Sequence, residues 1–250
     1  MVSQVFLQLL FLIVECAATE FWVRPDSISN CNTRQPCLTL SEYLQNTGHY
    51  FTSNSVLHFL PGNHTVSNTT QVIAQDVDNI SLVGSAGHAT VQCNGKLSFT
   101  FWKVLDLQIS CISFIGCGLG VAGDLRFIGT EIQSSYQDQI NVALLFVECS
   151  SVVLKNVTVM ESYGYGLLGY NMIMTELKYC LFYHNCWRPQ LYKHSSPTKN
   201  YLPNSKAGGN ALFTFDYSGG FHSKSTTLNI LHSEFAHERN LQMYLFMEVV

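Results

Sequence analysis

The amino-acid sequence predicts an all-β solenoid: a stack of short strands with a short capping helix at its N-terminal end. Three observations carry this expectation. First, a hydrophobic pattern recurs 45 residues apart, with Phe101, Leu107, Ile109, Ile112 and Phe114 matched by Phe146, Val152, Leu154, Val157 and Val159. Self-similarity in a constant register marks stacked repeats, in which each unit buries its apolar side against its neighbours. Second, the local period is close to two, as in Leu107-x-Ile109 and Val157-x-Val159, which places alternate side chains on one face of a strand. β-Branched and aromatic residues fill these slots, as strands prefer. Third, no run of helical spacing follows residue 47, and the Leu-x-x-Leu-x-Leu pattern of leucine-rich repeats is missing.

Composition bounds the function. Of 250 residues, 47% are apolar and 12% charged, enough for a large core and far from the make-up of disordered chains. A formal net charge of −4 gives no reason to expect a nucleic-acid partner. Val5 to Val14 is almost wholly apolar and is followed by Cys16-Ala17-Ala18. This reads as a signal peptide over residues 1–18, cut before Thr19. The stretch is too short to span a bilayer as a helix. Its removal leaves Cys31, Cys37, Cys93, Cys111, Cys117, Cys149, Cys180 and Cys186, an even set that favours disulfides in an oxidising compartment. Sequons at Asn63, Asn68, Asn79 and Asn156 agree with a secreted glycoprotein.

Residues 19–75 read as an N-terminal cap region. Cys31 and Cys37 flank a short loop bent by Pro36, and a bridge there would stabilise by about 2 kcal/mol in the chain-entropy model. Thr39-Leu40-Ser41-Glu42 is a capping-box pattern, predicting a helix from about Leu40 to Asn46. Val56 to Leu60 and His64 to Val66 read as strands around a Pro61-Gly62 turn. A helix over the open end is expected because the first coil would otherwise expose its core. Residues 76–250 read as the stack, with repeats beginning near Val77. Ile80 and Leu82 open the first coil. Phe99 to Phe114 make the second, and Leu125, Phe127, Thr130 and Ile132 a third. Leu144 to Val159 make the fourth. Leu168, Leu177, Cys180 and Phe182 make the fifth, and Leu228, Ile230 and Phe235 the sixth. The last inward positions are 18, 27, 23 and 53 residues apart, so the final step holds an insertion. Trp187 to Ala207, rich in Pro, Ser, Asn and Lys, is that surface loop.

Several segments resemble the pectin-lyase-like superfamily, and more narrowly the secreted, cysteine-bearing β-helix domain proteins of sponges and other early animals. These are Cys31–Cys37 with Thr39-Leu40-Ser41-Glu42-Tyr43-Leu44, Leu60-Pro61-Gly62-Asn63-His64, Phe114-Ile115-Gly116-Cys117-Gly118, and Gly164-Tyr165-Gly166-Leu167-Leu168-Gly169. The resemblance spans about residues 26 to 240. It implies a right-handed parallel β-helix solenoid. It does not imply one activity, since the fold hosts lyases, hydrolases, adhesins and scaffolds.

Lyases of this kind use clustered acids for calcium, which needs about six oxygens, and hydrolases need converging carboxylates. Here Asp76 and Asp78 form one pair while Asp106, Asp124 and Asp138 are scattered. Asp76 and Asp78 read as turn caps. His232 and His237 flank Glu234, but residues five apart on a strand point to opposite faces. His184-x-Cys186 is a weak zinc pattern, because an exported cysteine is more often bridged. There is no Gly-x-Ser-x-Gly elbow. Gly84 to His88 and Gly164-Tyr165-Gly166 read as turns. Cys111 with Cys117, and Cys180 with Cys186, are close enough to bridge across turns. Cys111 and Cys180 also sit near inward slots, where thiols stack as small hydrophobes.

No catalytic residue, metal or cofactor is therefore expected. The sequence points to an extracellular scaffold or recognition surface for a glycan or protein ligand, with a polysaccharide lyase or glycoside hydrolase as the alternative. Leu241 to Val250 is strongly apolar and lies where a further strand should begin. A solenoid end normally carries a polar cap, so this segment is expected to continue into further coils, to fold over as an unusual cap or to dock on a partner, with self-association through this end.

Overall fold

The structure is a computed structural model. It describes residues 18–26, 37–47, 51–66, 70–85, 88–94, 97–118, 142–162, 165–170, 172–185, 211–215, 227–236 and 243–247. Among these residues it is mostly β, with one short helix, and the sheets are parallel throughout.

Strands β1 (Thr19–Arg24) and β2 (Cys37–Thr39) lead into helix α1 (Leu40–Asn46). The chain then passes through three sheets in strict rotation. The first round is β3 (Ser55–Phe59), β4 (Gly62–Thr65) and β5 (Thr70–Gln75), and the second is β6 (Ile80–Gly84), β7 (Ala89–Gln92) and β8 (Leu97–Trp102). The third is β9 (Asp106–Ser110), β10 (Ile112–Ile115) and β11 (Val142–Val147), and the fourth is β12 (Ser151–Lys155), β13 (Thr158–Met160) and β14 (Tyr165–Tyr170). The fifth is β15 (Met174–Lys178), β16 (Leu181–Tyr183) and β17 (Ala211–Phe215), and the sixth is β18 (Thr227–Leu231), β19 (Glu234–Ala236) and β20 (Met243–Met247). The first sheet runs β2-β1-β3-β6-β9-β12-β15-β18, the second β4-β7-β10-β13-β16-β19 and the third β5-β8-β11-β14-β17-β20.

Register turns the alternating sequence into columns. In the first sheet Leu57, Leu82, Ile109, Leu154 and Leu177 are successive partners. In the second, His64, Val91, Phe114, Val159 and Phe182 are. In the third, Ala74, Phe101 and Phe146 are. All these side chains are buried. At the corner between the first and second sheets a single residue turns the chain. Cys111, Asn156, Tyr179 and His232 hold it in four successive rounds, with φ of 57, 51, 55 and 48°. A left-handed residue bends the strand sharply without a loop, at an energy that packing on both sides offsets.

The cap agrees with its sequence signals. Thr39 and Glu42 close a reciprocal capping box on α1, and Leu40, Tyr43 and Leu44 are buried. Tyr43 packs on Phe21 and Phe51, Phe51 on Phe101, and Phe101 on Phe146, with centroids 5.2, 6.1, 6.2 and 5.4 Å apart. One aromatic chain therefore ties the cap to the third round.

Three expectations need correction, and a fourth, the 53-residue spacing, is met. The regular rounds start with β3, before Val77. The 45-residue repeat is one step of the stack, because β8 and β11, β9 and β12, and β10 and β13 are hydrogen-bonded neighbours pairing Phe101 with Phe146, Leu107 with Val152 and Phe114 with Val159. The expected third coil at Leu125, Phe127, Thr130 and Ile132 therefore does not lie between them, and those residues fall outside the described set. An apolar insertion and an apolar coil look alike to a periodicity argument. The 53-residue spacing is one step carrying an insertion, since Leu177 pairs with Ile230 and Phe182 with Phe235. Finally, Leu167, rather than Leu168, is the partner of inward Leu144. Met243–Met247 is a strand paired with β17.

Close approach at the corner yields a sharp test. A Cβ on Gly84 would lie 1.9 Å from the Cys111 carbonyl oxygen. Backbone cannot retreat there without breaking the ladder, so Gly84→Ala should destabilise by about 3 kcal/mol, the upper end of overpacking costs. An unchanged urea midpoint would refute this contact.

Candidate functional site

The outer faces and corners carry all the candidate chemistry. On the outer face of the third sheet, Leu145, Val147 and Leu168 of β11 and β14 are 3%, 0% and 4% exposed, Ser98 and Thr100 of β8 are buried beside them, and every residue of β11 is buried. The outer faces of the first and second sheets bear mixed polar residues, half-buried or exposed.

Of the candidate acids, Asp78 and Asp106 stand at one corner in successive rounds, because Ile80 pairs with Leu107 and the Leu105 backbone N–H donates to the Val77 carbonyl oxygen at 3.3 Å. Asp76 is a left-handed corner residue after β5, φ 50°, accepting from the Gln75 side-chain amide at 3.0 Å. The Asp78 backbone N–H donates to Ser53 Oγ at 3.0 Å. Asp106 is exposed at the start of β9, while Asp124 and Asp138 fall outside the described residues. His184 is another left-handed corner residue, its ring 3.8 Å from that of Tyr183. Cys186 is not among the described residues, nor is His237. His232 stacks on Tyr179 at 5.1 Å, and Glu234 opens β19. No group of three His, Cys, Asp or Glu suited to a metal ion occurs among the described residues. No helix there is long and apolar enough to cross a membrane.

The sequon asparagines differ in setting. Asn63 is exposed on β4. Asn79 and Asn156 are exposed, left-handed corner residues with φ of 55 and 51°. The Asn79 amide donates to Asn54 Oδ1 at 3.1 Å, and the Asn156 amide lies 3.8 Å from Cys111 Sγ. Asn68 falls outside the described residues.

Cysteine pairing departs from the sequence reading. Cys117 is bonded to Cys93, not to Cys111. Cys93 follows β7 and Cys117 follows β10, adjacent strands of the second sheet, so stacking brings their Cα atoms to 4.8 Å. The bridge spans a separation of 24 residues, which corresponds to about 3.5 kcal/mol in the chain-entropy model. Cys37 is disulfide-bonded, and Cys31 lies outside the described residues. Cys111, Cys149 and Cys180 are free thiols. Cys111 is a half-exposed corner residue rather than an inward one. Cys180 is buried, its Sγ 3.3 Å from the Leu154 carbonyl oxygen. Burial pushes the Cys180 thiol up, and the Cys149 thiol up to about 11.

Sequence reasoning missed two polar groupings near the cap. Trp22 and His58 stack at 4.0 Å on the outer face, with His58 Nε2 3.5 Å from Glu20 Oε2. The Asp26 carboxylate accepts from the backbone N–H and hydroxyl of Thr65, while Arg24 pairs with Glu42 at 3.2 Å. The Thr39 backbone N–H, then its hydroxyl, lowers the Glu42 carboxyl. His64 points inward, bonded to the Leu60 carbonyl oxygen at 2.8 Å and set edge-on to Phe59 at 5.3 Å. Only an inward position in β4 could have flagged it.

The chain matches no protein-family model, no curated protein and no solved structure.

Two outcomes follow from burial. Desolvation holds His64 below its ordinary value of 6.5, against the opposing pull of the Leu60 carbonyl and Asp26. The unfolded chain then takes up a proton near pH 6.5 that the folded chain refuses, so stability is complete above that pH and is lost as pH falls through the lower folded value. The urea midpoint should drop across this window, and His64→Leu should flatten the drop; an equal drop in both proteins would exclude His64 as its source. For the thiols, thiolate is on the order of a thousandth of Cys149 at pH 8. Iodoacetamide should therefore modify Cys111 in the native protein but Cys149 and Cys180 only after unfolding, with Cys93 and Cys117 recovered as one linked peptide pair. Native labelling of Cys149 would contradict this burial.

Proposed function

We propose that this chain is a secreted, glycosylated, right-handed parallel β-helix of the pectin-lyase-like kind, acting as a non-enzymatic extracellular scaffold or recognition surface. Rotation of the chain through three parallel sheets supports the β-helix reading, because this topology stacks strands without crossing connections. The observation that carries the functional reading is the part played by the described acids. Asp76, Asp78 and Asp106 serve turns and strand ends, whereas lyase or hydrolase chemistry needs acids and bases aimed at one reacting atom. At β11 both faces of the third sheet are buried, which leaves no open wall there for a polar polymer. What is left is two broad, mixed faces of the sort that dock ligands without altering them.

Secretion rests on the apolar leader, the sequons and the bonded cysteines, and it is consistent with a Cys31–Cys37 bridge around Pro36. Asn63, Asn79 and Asn156 present exposed side chains, as an acceptor for a glycan must.

The deciding experiment is incubation with polygalacturonate, alginate and related polymers, with and without Ca²⁺, followed by absorbance at unsaturated uronate wavelengths and a reducing-end assay. No turnover is expected in either condition. Reproducible turnover abolished by Asp76→Ala or Asp106→Ala would replace the scaffold reading with the enzymatic one.

A further inference from the structure

Strand β4 is the outermost strand of the second sheet, with β7 as its ladder neighbour. Among the described residues no strand lies on its other side. The chain leaving β1 lies there instead. The Asp26 backbone N–H donates to the Asn63 carbonyl oxygen at 3.4 Å, and the Asp26 carboxylate accepts from the backbone N–H and hydroxyl of Thr65. Pro25 sits so close over Gly62 that a Cβ on the glycine would lie 3.0 Å from the proline ring. From the helix, Ser41 Oγ donates to the Thr65 carbonyl oxygen at 3.3 Å. The Arg24–Glu42 pair joins the same stretch of chain to α1. Residues 24–26, β4 and α1 therefore form one clasp over the end of the stack.

His64 sits inside that clasp, wholly buried. β3 faces it with Phe59, edge-on at 5.3 Å, and β7 with its ladder partner Val91. Its Nε2 lies 2.8 Å from the Leu60 carbonyl oxygen. From the β1 side come the Arg24 carbonyl and the Asp26 carboxylate. On α1, Glu42 is taken up by Arg24. Ahead of β7, His88 accepts from the Gly62 N–H at 3.2 Å through its backbone carbonyl, and the residue is exposed. Asp26 and the two carbonyls favour an imidazolium, but desolvation outweighs them and holds the ring below its ordinary value of 6.5.

Opening the clasp removes that desolvation. Water reaches the ring, which then binds a proton near pH 6.5, as it does in an unfolded chain. The open form therefore gains on the closed one as pH falls below about 6.5, by up to about tenfold per pH unit, until the closed form also takes up a proton. β4 is also where local opening disrupts least. An edge strand gives up one ladder, whereas an interior strand such as β9 gives up two.

We propose that His64 is an acid-sensitive latch, whose protonation releases β4 and α1 from residues 24–26 and uncovers the capped end of the stack while the inner rounds stay folded. Release turns Leu40, Tyr43 and Leu44, buried on α1, toward water and frees the backbone edge of β4. The latch is independent of the scaffold reading.

The test is hydrogen–deuterium exchange of the whole chain at pH 7.5, 6.5 and 5.5, with exchange times scaled to the intrinsic amide rate at each pH. Peptides over α1 and β4 should lose protection between pH 6.5 and 5.5 by up to about tenfold, while those over β9, β12 and β15 keep theirs. His64→Leu and His64→Gln should each remove this pH dependence; the glutamine retains a donor for the Leu60 carbonyl where the leucine variant folds poorly. Asp26→Asn should lower the protection of α1 and β4 at every pH and keep the slope, because it weakens the clasp and leaves the histidine to titrate. A loss shared equally by β9, β12 and β15 would make His64 a determinant of global unfolding and overturn the latch. Constant protection of α1 and β4 over the range, or a loss that persists in both His64 variants, would overturn it as well.

Discussion

Every interior strand of the three sheets exchanges backbone hydrogen bonds with the strands one round before and after it, in parallel and in register. That ladder is the interaction on which the rest of the molecule depends. Because the pairing brings residue i beside its equivalent in the next round, side chains in an inward column must tolerate each other at about 4.8 Å. The columns obey this demand. Leu57, Leu82, Ile109, Leu154 and Leu177 form one aliphatic column, and Phe101 stacks on Phe146 in another. A polar intrusion would recur against two neighbours. This explains why His64 sits in the first round of its column, beside Phe59, with its Nε2 turned back to the Leu60 carbonyl.

The same constraint explains where insertions are accepted. Between the first and second sheets one left-handed residue makes the turn, and that connection keeps its length over four rounds. The long excursions fall elsewhere, after β10 and after β16. Added chain length there costs only slowly growing closure entropy, provided that the strands on both sides return to register. The pairing of β8 with β11 and of β16 with β19 shows that they do.

Outward chemistry inherits the columns as well. On the first sheet, register places Lys155 beside Lys178 and Trp22 beside His58. The corner column sets Tyr179 against His232. These neighbours are 23, 36 and 53 residues apart in sequence, so only the stack makes them a surface. The third sheet is different, because apolar residues occupy both of its faces at β11.

Local signals were readable in the sequence. Thr39 and Glu42 announced α1 because a capping box acts within four residues, and alternation around Pro61-Gly62 announced β3 and β4 because turn chemistry is equally local. Alternation also determined strand character throughout and the 45-residue match. Tertiary structure alone decided that this match is one step rather than two and that Cys117 meets Cys93 rather than Cys111. In each case the deciding quantity is the register between strands distant in sequence. Register is set by the summed packing of whole columns, and no single segment contains it.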